Sequence, residues 1–409
     1  MSARMDAAFV EAATDELGAS GIDAWLLYDL EGRNKVTCEL VGLPVGQSRR
    51  FFVLLKPGQA PVALAHRIEL GEWEVWPYEL RSYVGWEEME RELTRLLEGS
   101  RDVAMEVSAR DAVPFMDNVP AGVVELVESC GVRVVTSSPL ISRTYAQWGA
   151  VGRECHRRAA AVLSRVARAA FELAAAAAGV AGGPARGPGE VHPPKDEFGL
   201  ALWIREQLDR EGLTAGDTIV AIGPNSAKPH YWPQPDGSSP FEPERILLID
   251  LWGRVAEEAD AVFADQTWMG FLGAELPAEV IEPWEAVRDA RDEAVDFIRA
   301  GIEDLPTGAD VDSRVRQVLE SRGFGEAIFH RTGHAMDRIN HGFGPNLDSV
   351  ETRDDRRLVA GIGFSVEPGL YFEGRFGLRS EINVHVTEAG PEVTPEDHQH
   401  DIWLPGQGR

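Results

Sequence analysis

Histidines and acidic residues that could bind a metal ion are concentrated in one C-terminal stretch of the sequence. His330, His334 and His341 lie close together in a glycine-rich segment, and Glu367 and Glu381 follow on two runs that look like strands. Imidazole and carboxylate groups are common ligands of divalent metals in proteins. The stretch is therefore a candidate for half of a metal site, and the remaining ligands must come from elsewhere in the chain.

Two aspartates upstream could supply the other half. Asp250 ends the apolar run ILLID, and Asp265 lies within VFADQT, which also looks like a strand. An ionised group in a buried strand costs free energy unless it is paired or binds a cation. The polar sequence EEAD between the two runs predicts a turn, so we expect an antiparallel hairpin that carries both aspartates.

This set of ligands favours particular metals. Crowded carboxylates become protonated unless nearby positive charge stabilises the ionised form. Four carboxylates with one imidazole suit Mn(II), Co(II) or Fe(II), and Zn(II) less well. Carboxylates can also bridge, which favours two ions roughly 3.5–4 Å apart that share a hydroxide. We therefore expect two divalent ions, with Mn(II) as the first candidate.

The strand that carries Glu381 predicts how the site is oriented. Arg379, Glu381, Asn383 and His385 have one parity, whereas the residues between them after Ser380 are apolar. Side chains alternate between the faces of a strand, so one face should line a cavity and the other should pack on helices. Trp232 and Trp252 near the aspartate strands could form walls of the pocket, although aromatic core is the default interpretation.

The remaining pattern indicates two domains. Strand and helix signals alternate through the first third of the chain, which predicts a small α/β domain. A long Ala- and Arg-rich helical pattern at 145–178 reads as a hinge helix, and a Gly- and Pro-rich stretch follows at 179–194. Helix patterns then lead into the two aspartate strands. We place the domains at residues 1–144 and 145–409.

Composition limits the partners and the compartment. The formal net charge of -27 argues against nucleic acid or an anionic membrane surface as a partner. Three cysteines without a CxxC pattern suit a reducing compartment. The acidic N-terminus lacks the features of a signal peptide, and no apolar run is long enough to span a bilayer. We therefore expect a cytoplasmic protein.

These motifs together resemble the pita-bread metallopeptidases, which include methionine aminopeptidase, aminopeptidase P and prolidase, with creatinase as a metal-free relative. The family's ordered ligands Asp, Asp, His, Glu, Glu correspond to the five residues proposed above, and HRTGH, VEPG, the RxE motif and the histidine of KPHY are present. The resemblance covers about residues 145–395. The ligand set that it implies is Asp250, Asp265, His334, Glu367 and Glu381.

The resemblance implies an α+β protein with a C-terminal pita-bread domain, preceded by a smaller α/β domain of the creatinase type. It implies a dinuclear exopeptidase that cleaves Xaa-Pro bonds of small peptides through a metal-bridging hydroxide, and it favours a homodimer. Glu367 would transfer the proton. His341 and His230 would bind the scissile carbonyl or the oxyanion, His330 would lie in the second shell or the substrate pocket, and Arg379 would orient the carboxylates.

Two alternatives stay open at this point. The same fold and metal site could act as a hydrolase or lyase on a small non-peptide metabolite, because fold alone does not determine function. The longer gap between the aspartates, and the sequence Asp265-Gln266-Thr267-Trp268 in place of the family's Asp-Ile-Thr-Arg, bear on the substrate. A non-catalytic peptide-binding module ranks last, since such a module would lack metal ligands and all five are present.

Overall fold

The computed structural model of the protein describes residues 5–43, 47–180 and 194–406. The chain divides into two units, Met1–Gln147 and Trp148–Arg409. The division lies a few residues after the boundary at 144/145 that the sequence suggested. Most of the Gly- and Pro-rich stretch at 179–194 lies outside the described residues.

The first unit is a mixed sheet with helices. Its helices are α1 (Ala7–Ser20), α2 (Lys35–Val41), α3 (Trp86–Leu97), α4 (Ala121–Ser129) and α5 (Ser138–Arg143). Its strands are β1 (Ala24–Asp29), β2 (Phe51–Leu55), β3 (Val62–His66), β4 (Glu79–Tyr83), β5 (Asp102–Met105) and β6 (Arg133–Thr136). They form one sheet in the order β4-β3-β2-β1-β5-β6, as expected of an α/β layer domain.

Helical spacing explains the packing of α3. Its buried side chains are Met89, Leu93, Leu96 and Leu97, the four that the pattern placed on one face. The sequence missed β4, α2 and α5. These elements are short or only partly buried, so they show little of the periodicity by which a longer element is recognised.

The second unit contains the candidate site. Its helices are α6 (Ala150–Ala177), α7 (Glu197–Arg210), α8 (Ala278–Ala300) and α9 (Gly308–Ser321). Its strands are β7 (Leu213–Ile222), β8 (Ile246–Val255), β9 (Ala264–Phe271), β10 (Ala335–Met336), β11 (Gly363–Val366), β12 (Gly369–Phe372), β13 (Phe376–Arg379), β14 (Ile382–Thr387) and β15 (Gly390–Thr394). The sheets are β7-β8-β9, β10-β11-β14-β15 and β12-β13.

One apolar core covers one face of the β7-β8-β9 sheet. Leu247, Ile249 and Leu251 of β8 pack in it together with α6 and α7. Because side chains alternate along a strand, the residues between these three point to the opposite face. The helix α6 is thus a core element of the second unit, whereas the sequence suggested a hinge. In the described part of the chain, no helix is long and apolar enough to cross a membrane.

A buried histidine on α6 makes the stability of this unit depend on pH. The Nδ1 atom of His156 donates to the carbonyl of Phe263 at 2.6 Å, and its ring lies 4.6 Å from that of Trp148. Its Nε2 atom has no hydrogen-bond partner among the described residues. Burial lowers the pKa of His156 to about 4. The folded protein therefore holds this imidazole in its neutral form.

We expect the free energy of unfolding to fall as the pH decreases from about 6.5 to about 4, because the unfolded chain then binds a proton that folded His156 excludes. His156→Gln should remove on the order of 3 kcal/mol of this loss. Urea unfolding of both proteins between pH 7 and pH 4 measures the difference. The exposed His400→Gln variant should keep the wild-type pH dependence, and parallel curves for wild type and His156→Gln would contradict the prediction.

Candidate metal centre

The hairpin of β8 and β9 presents both aspartates on the face opposite the apolar core. The two strands pair antiparallel, with Asp250 opposite Thr267 and Trp252 opposite Asp265. The aspartates therefore lie on one face, displaced by two residues, which is close enough for their side chains to share one site. The hairpin predicted from the sequence is confirmed.

The two glutamates come from a second hairpin that is interrupted in the middle. The pair β11 and β14 and the pair β12 and β13 continue in one register, which places Glu367 opposite Glu381 at the break between them. The sequence placed both glutamates on strands, whereas they lie between strands. Pro368 has no N–H group to donate, so regular pairing cannot continue past Glu367. The break leaves both carboxylates free to turn into the cavity.

The histidine segment reaches the site through a close backbone approach. A side chain at position 333 would place its Cβ atom 2.0 Å from the carbonyl oxygen of Ser365, so only glycine fits before His334. The hydroxyl of Ser365 accepts from the backbone N–H of His334 at 3.0 Å and donates to Glu367 Oε1 at 3.0 Å. Ser365 thus ties His334 and Glu367 together.

The ring of His334 is oriented for a ligand role. Its Nδ1 atom donates to the carbonyl of Ala335 at 3.2 Å, which leaves a lone pair on Nε2. Nε2 lies 3.7 Å from Asp265 Oδ2 and 3.5 Å from Glu367 Oε1. Burial lowers the pKa of His334 to about 3, so the imidazole is neutral and able to bind a cation.

Three ligand atoms converge closely. Those of Asp265, His334 and Glu381 all lie within 4.8 Å of one another, and all three residues are buried. Asp265 Oδ1 is buried without a hydrogen-bond partner in the described part of the structure. Burial and mutual repulsion raise the pKa of Asp265 and of Glu381 well above the usual range. A cation between these groups would stabilise both ionised carboxylates, so the donor set fits a metal.

An arginine compensates part of the negative charge. Arg379 forms an ion pair with Asp250 Oδ2, and its Nε atom lies 4.0 Å from Glu367 Oε2. Burial raises the pKa of Asp250 to about 6, although Arg379 opposes the shift. These contacts fit the role expected of Arg379, which is to orient the ligand carboxylates.

The other histidines surround this cluster. The ring of His341 meets that of His334 edge-on at 4.3 Å, and His330 accepts from the hydroxyl of Tyr371 at 2.7 Å. His230 comes from the segment between β7 and β8 and is exposed. One cavity of about 530 Å³ is lined by all the residues named from the sequence, which are His230, Asp250, Asp265, His330, His334, His341, Glu367, Arg379 and Glu381.

Several residues that shape the site were not identified from the sequence. The hydroxyl of Thr267 accepts from Arg379 Nε at 2.9 Å and donates to Glu381 Oε2 at 2.8 Å. Asn340 donates to Asp265 Oδ2 at 2.8 Å, and the amide of Asn383 bonds both backbone groups of Asp265. Of these three residues, only Asn383 could have been recognised from the sequence, because it lies on the same face of the strand as Glu381.

Two interpretations of aromatic and polar positions need correction. Trp232 and Trp252, for which core was the default interpretation and a pocket wall the alternative, both line the cavity, with Trp232 42% exposed and the two rings 6.1 Å apart. The polar face predicted for β14 does not reach the cavity at His385, whose ring stacks on Trp148 at 5.1 Å. The prediction that these residues share one face of the strand was right, but beyond Asn383 this face of β14 no longer borders the cavity.

The fold and this site define a metallopeptidase of the pita-bread type. The chain belongs to metallopeptidase family M24, whose model matches residues 154–388. This family assignment agrees with the resemblance seen in the motifs.

Named relatives match either nearly the whole chain or less than half of it. A protein called probable dipeptidase PepE from Mycobacterium bovis is 28% identical over 403 residues, which covers 97% of this chain and 94% of that protein. An Xaa-Pro dipeptidase from Lactobacillus delbrueckii subsp. lactis is 31% identical over 168 residues, 41% of each chain.

Solved structures show the same fold. Dipeptidase PepE from Mycobacterium ulcerans has a TM-score of 0.70 at 24% identity and covers 97% of both chains. The prolidase from Pyrococcus horikoshii OT3 has a TM-score of 0.64 at 19% identity, over 96% of this chain and 99% of its own. The likeness extends across both units of the chain.

Thr267→Val should weaken the binding of Mn(II) by about 10- to 100-fold, because the hydroxyl that holds both Arg379 and Glu381 is lost. Isothermal titration calorimetry measures the affinity. Thr218→Val is the matched control, since the buried hydroxyl of Thr218 has no hydrogen-bond partner in the described structure. Equal affinities for the two variants would show that Thr267 does not position the ligands.

Proposed function

We propose that this M24 peptidase is an exopeptidase that cleaves Xaa-Pro bonds of small peptides, as a dipeptidase or an aminopeptidase, with two divalent ions. The observation that carries the proposal is the convergence of the Asp265, His334 and Glu381 ligand atoms within 4.8 Å in a cavity that Asp250 and Glu367 also line. The dipeptidase and Xaa-Pro dipeptidase names of the relatives favour the peptide substrate.

The residues that would hold the ions are the five carboxylate and imidazole groups. Four carboxylates could carry enough negative charge for two divalent cations, and their oxygens can bridge. The buried Oδ1 atom of Asp265, which has no hydrogen-bond partner among the described residues, is the ligand atom best explained by a cation. Mn(II) stays the first candidate, with Co(II), Fe(II) and Zn(II) as alternatives.

When bound, the ions would lower the pKa of a water molecule so that it could attack a peptide carbonyl at neutral pH. Glu367 would accept a proton from the attacking group and pass it to the leaving nitrogen. Its Oε1 atom is held by Ser365 at 3.0 Å, so the carboxylate is positioned before the substrate arrives.

The cavity histidines would act on the substrate carbonyl. His230 and His341 would donate hydrogen bonds to the carbonyl oxygen as negative charge develops on it. His330 would act less directly, because its Nε2 atom is engaged with Tyr371 at 2.7 Å. A cavity of about 530 Å³ suits a short peptide, and the tryptophans form an apolar part of its wall.

Metal-stripped protein supplied with Mn(II) should release Ala from Ala-Pro or from Ala-Pro-Ala but not from Ala-Ala-Ala, as measured by mass spectrometry. The ratio of the cleavage rates of Ala-Pro and Ala-Pro-Ala distinguishes a dipeptidase from an aminopeptidase. Asp250→Ala should lower the rate by at least about 1000-fold, because it removes a ligand and leaves Arg379 without its buried partner.

Asp217→Ala, at an exposed position of the neighbouring strand, should keep the wild-type rate. Full metal binding without cleavage of any peptide in the panel would reject the Xaa-Pro specificity and favour a small non-peptide metabolite as the substrate. If the wild-type protein cleaved all three peptides at equal rates, the requirement for proline would be rejected.

Two Mn(II) ions should bind to each chain, because one ion cannot compensate four buried carboxylates. Calorimetric titration of metal-stripped protein, checked by elemental analysis of the loaded protein, gives the stoichiometry. A value of one ion per chain at saturating Mn(II) would contradict the dinuclear site. A homodimer and a cytoplasmic location also stay predictions.

A further inference from the structure

A buried glutamate outside the metal centre is attached to the segment that delivers His230. Glu197 is the first residue of α7, and its side chain is fully buried. Its carboxylate accepts hydrogen bonds only from neutral donors in the described part of the chain. These donors are the backbone N–H of Ile222 at 2.7 Å and of Ser239 at 2.8 Å, the Asn225 amide at 3.0 and 3.2 Å, and the Tyr231 hydroxyl at 2.5 Å.

These donors are distributed along one connection. The segment 223–245 joins β7 to β8, and its regular structure consists of a short 3-10 turn at Gly223–Ala227 and an isolated bridge between Pro240 and Asp196. Glu197 holds the residue before it through Ile222, its middle through Tyr231, and its later part through Ser239. An ionised carboxylate can accept all these bonds through its two oxygens, whereas the uncharged glutamine side chain of the same size has one accepting oxygen and an NH2 group that donates.

The held segment forms one wall of the catalytic cavity. His230 and Trp232, on either side of Tyr231, both line the cavity, and Trp232 meets Trp252 of β8 edge-on at 6.1 Å. Both His230 and Trp232 are exposed, so burial of their own side chains does not fix them. The hydrogen bond from Tyr231 to Glu197 lies between them in the chain and reaches the interior, as does the buried Pro233 that follows Trp232.

We propose that Glu197 is a positioning residue that places His230 and Trp232 against the substrate through Tyr231, without contacting substrate or metal itself. The inference rests on the proposed role of His230 in peptide hydrolysis. The ligand carboxylates and His334 lie on other elements, so loss of the Glu197 anchor should leave metal binding intact while it misplaces His230.

Glu197→Gln tests this with little change in shape, because the amide would place a donor against the N–H and O–H donors that face Glu197. With Ala-Pro as the substrate, kcat should fall by about tenfold or more, while Mn(II) affinity stays within about twofold of wild type. Glu206→Gln, at an exposed position of the same helix, is the matched control and should keep the wild-type kcat.

A double-mutant cycle separates positioning from a purely structural effect. His230→Ala alone should lower kcat by about 100-fold, and adding Glu197→Gln should lower it little further, because the group that Glu197 positions is already absent. Tyr231→Phe removes only the anchoring hydroxyl and should show the same non-additivity with a smaller loss. Full additivity of Glu197→Gln and His230→Ala, or an unchanged kcat in Glu197→Gln, would overturn the inference.

A second measurement does not depend on peptidase activity. Chymotrypsin should cut after Tyr231 much faster in Glu197→Gln than in wild type or Glu206→Gln, with the fragments identified by mass spectrometry. If the wild type cleaves no peptide, the proposed function is rejected. The chymotrypsin digestion still shows whether Glu197 holds the segment around Tyr231. Equal cutting rates in all three proteins would then show that Glu197 does not hold the segment.

Discussion

The crowding of carboxylates in a buried cavity is the constraint on which the second unit depends. Asp250, Asp265 and Glu381 are held close together away from solvent, where burial and repulsion oppose their ionisation. Folding must therefore overcome an electrostatic cost at this point, and Arg379 compensates part of it through its ion pair with Asp250. A cation would remove the remaining cost, so metal binding and stability of this site should be coupled.

Neutral hydrogen bonds determine where the crowded groups point. Thr267, Ser365 and Asn383 each connect two strands or segments of the site, and each contacts a ligand residue directly. Such residues fix the orientation of ligands without adding charge to a cluster that already carries too much. The two hairpins supply the carboxylates, and these small polar side chains supply the geometry.

The ligand residues and His230 are held by different means. The aspartates lie in paired strands over an apolar core, and the glutamates lie at a break within a paired hairpin, so backbone pairing positions all four. His230 lies on an irregular segment that has no strand pairing around it. Backbone hydrogen bonds hold this segment at Ser239 and Phe241. The side chain of Glu197 adds further anchors at Ile222, Tyr231 and Ser239. We therefore expect the position of His230 to change more readily than the positions of the metal-binding side chains.

The sequence by itself determined the strand parity, most helices and the nine histidine, acidic and arginine residues that it named around the cavity. Alternation along the strand that follows Glu381, helical spacing in α3 and the order of the five candidate ligand residues can all be seen in the sequence without tertiary information. Tertiary structure alone decided which polar residues meet. Glu197 begins a helix like many solvent-exposed glutamates, and Thr267 is one threonine in a strand. Their roles depend on partners 34 and 114 residues away, Tyr231 and Glu381, and no local pattern encodes contacts across such separations.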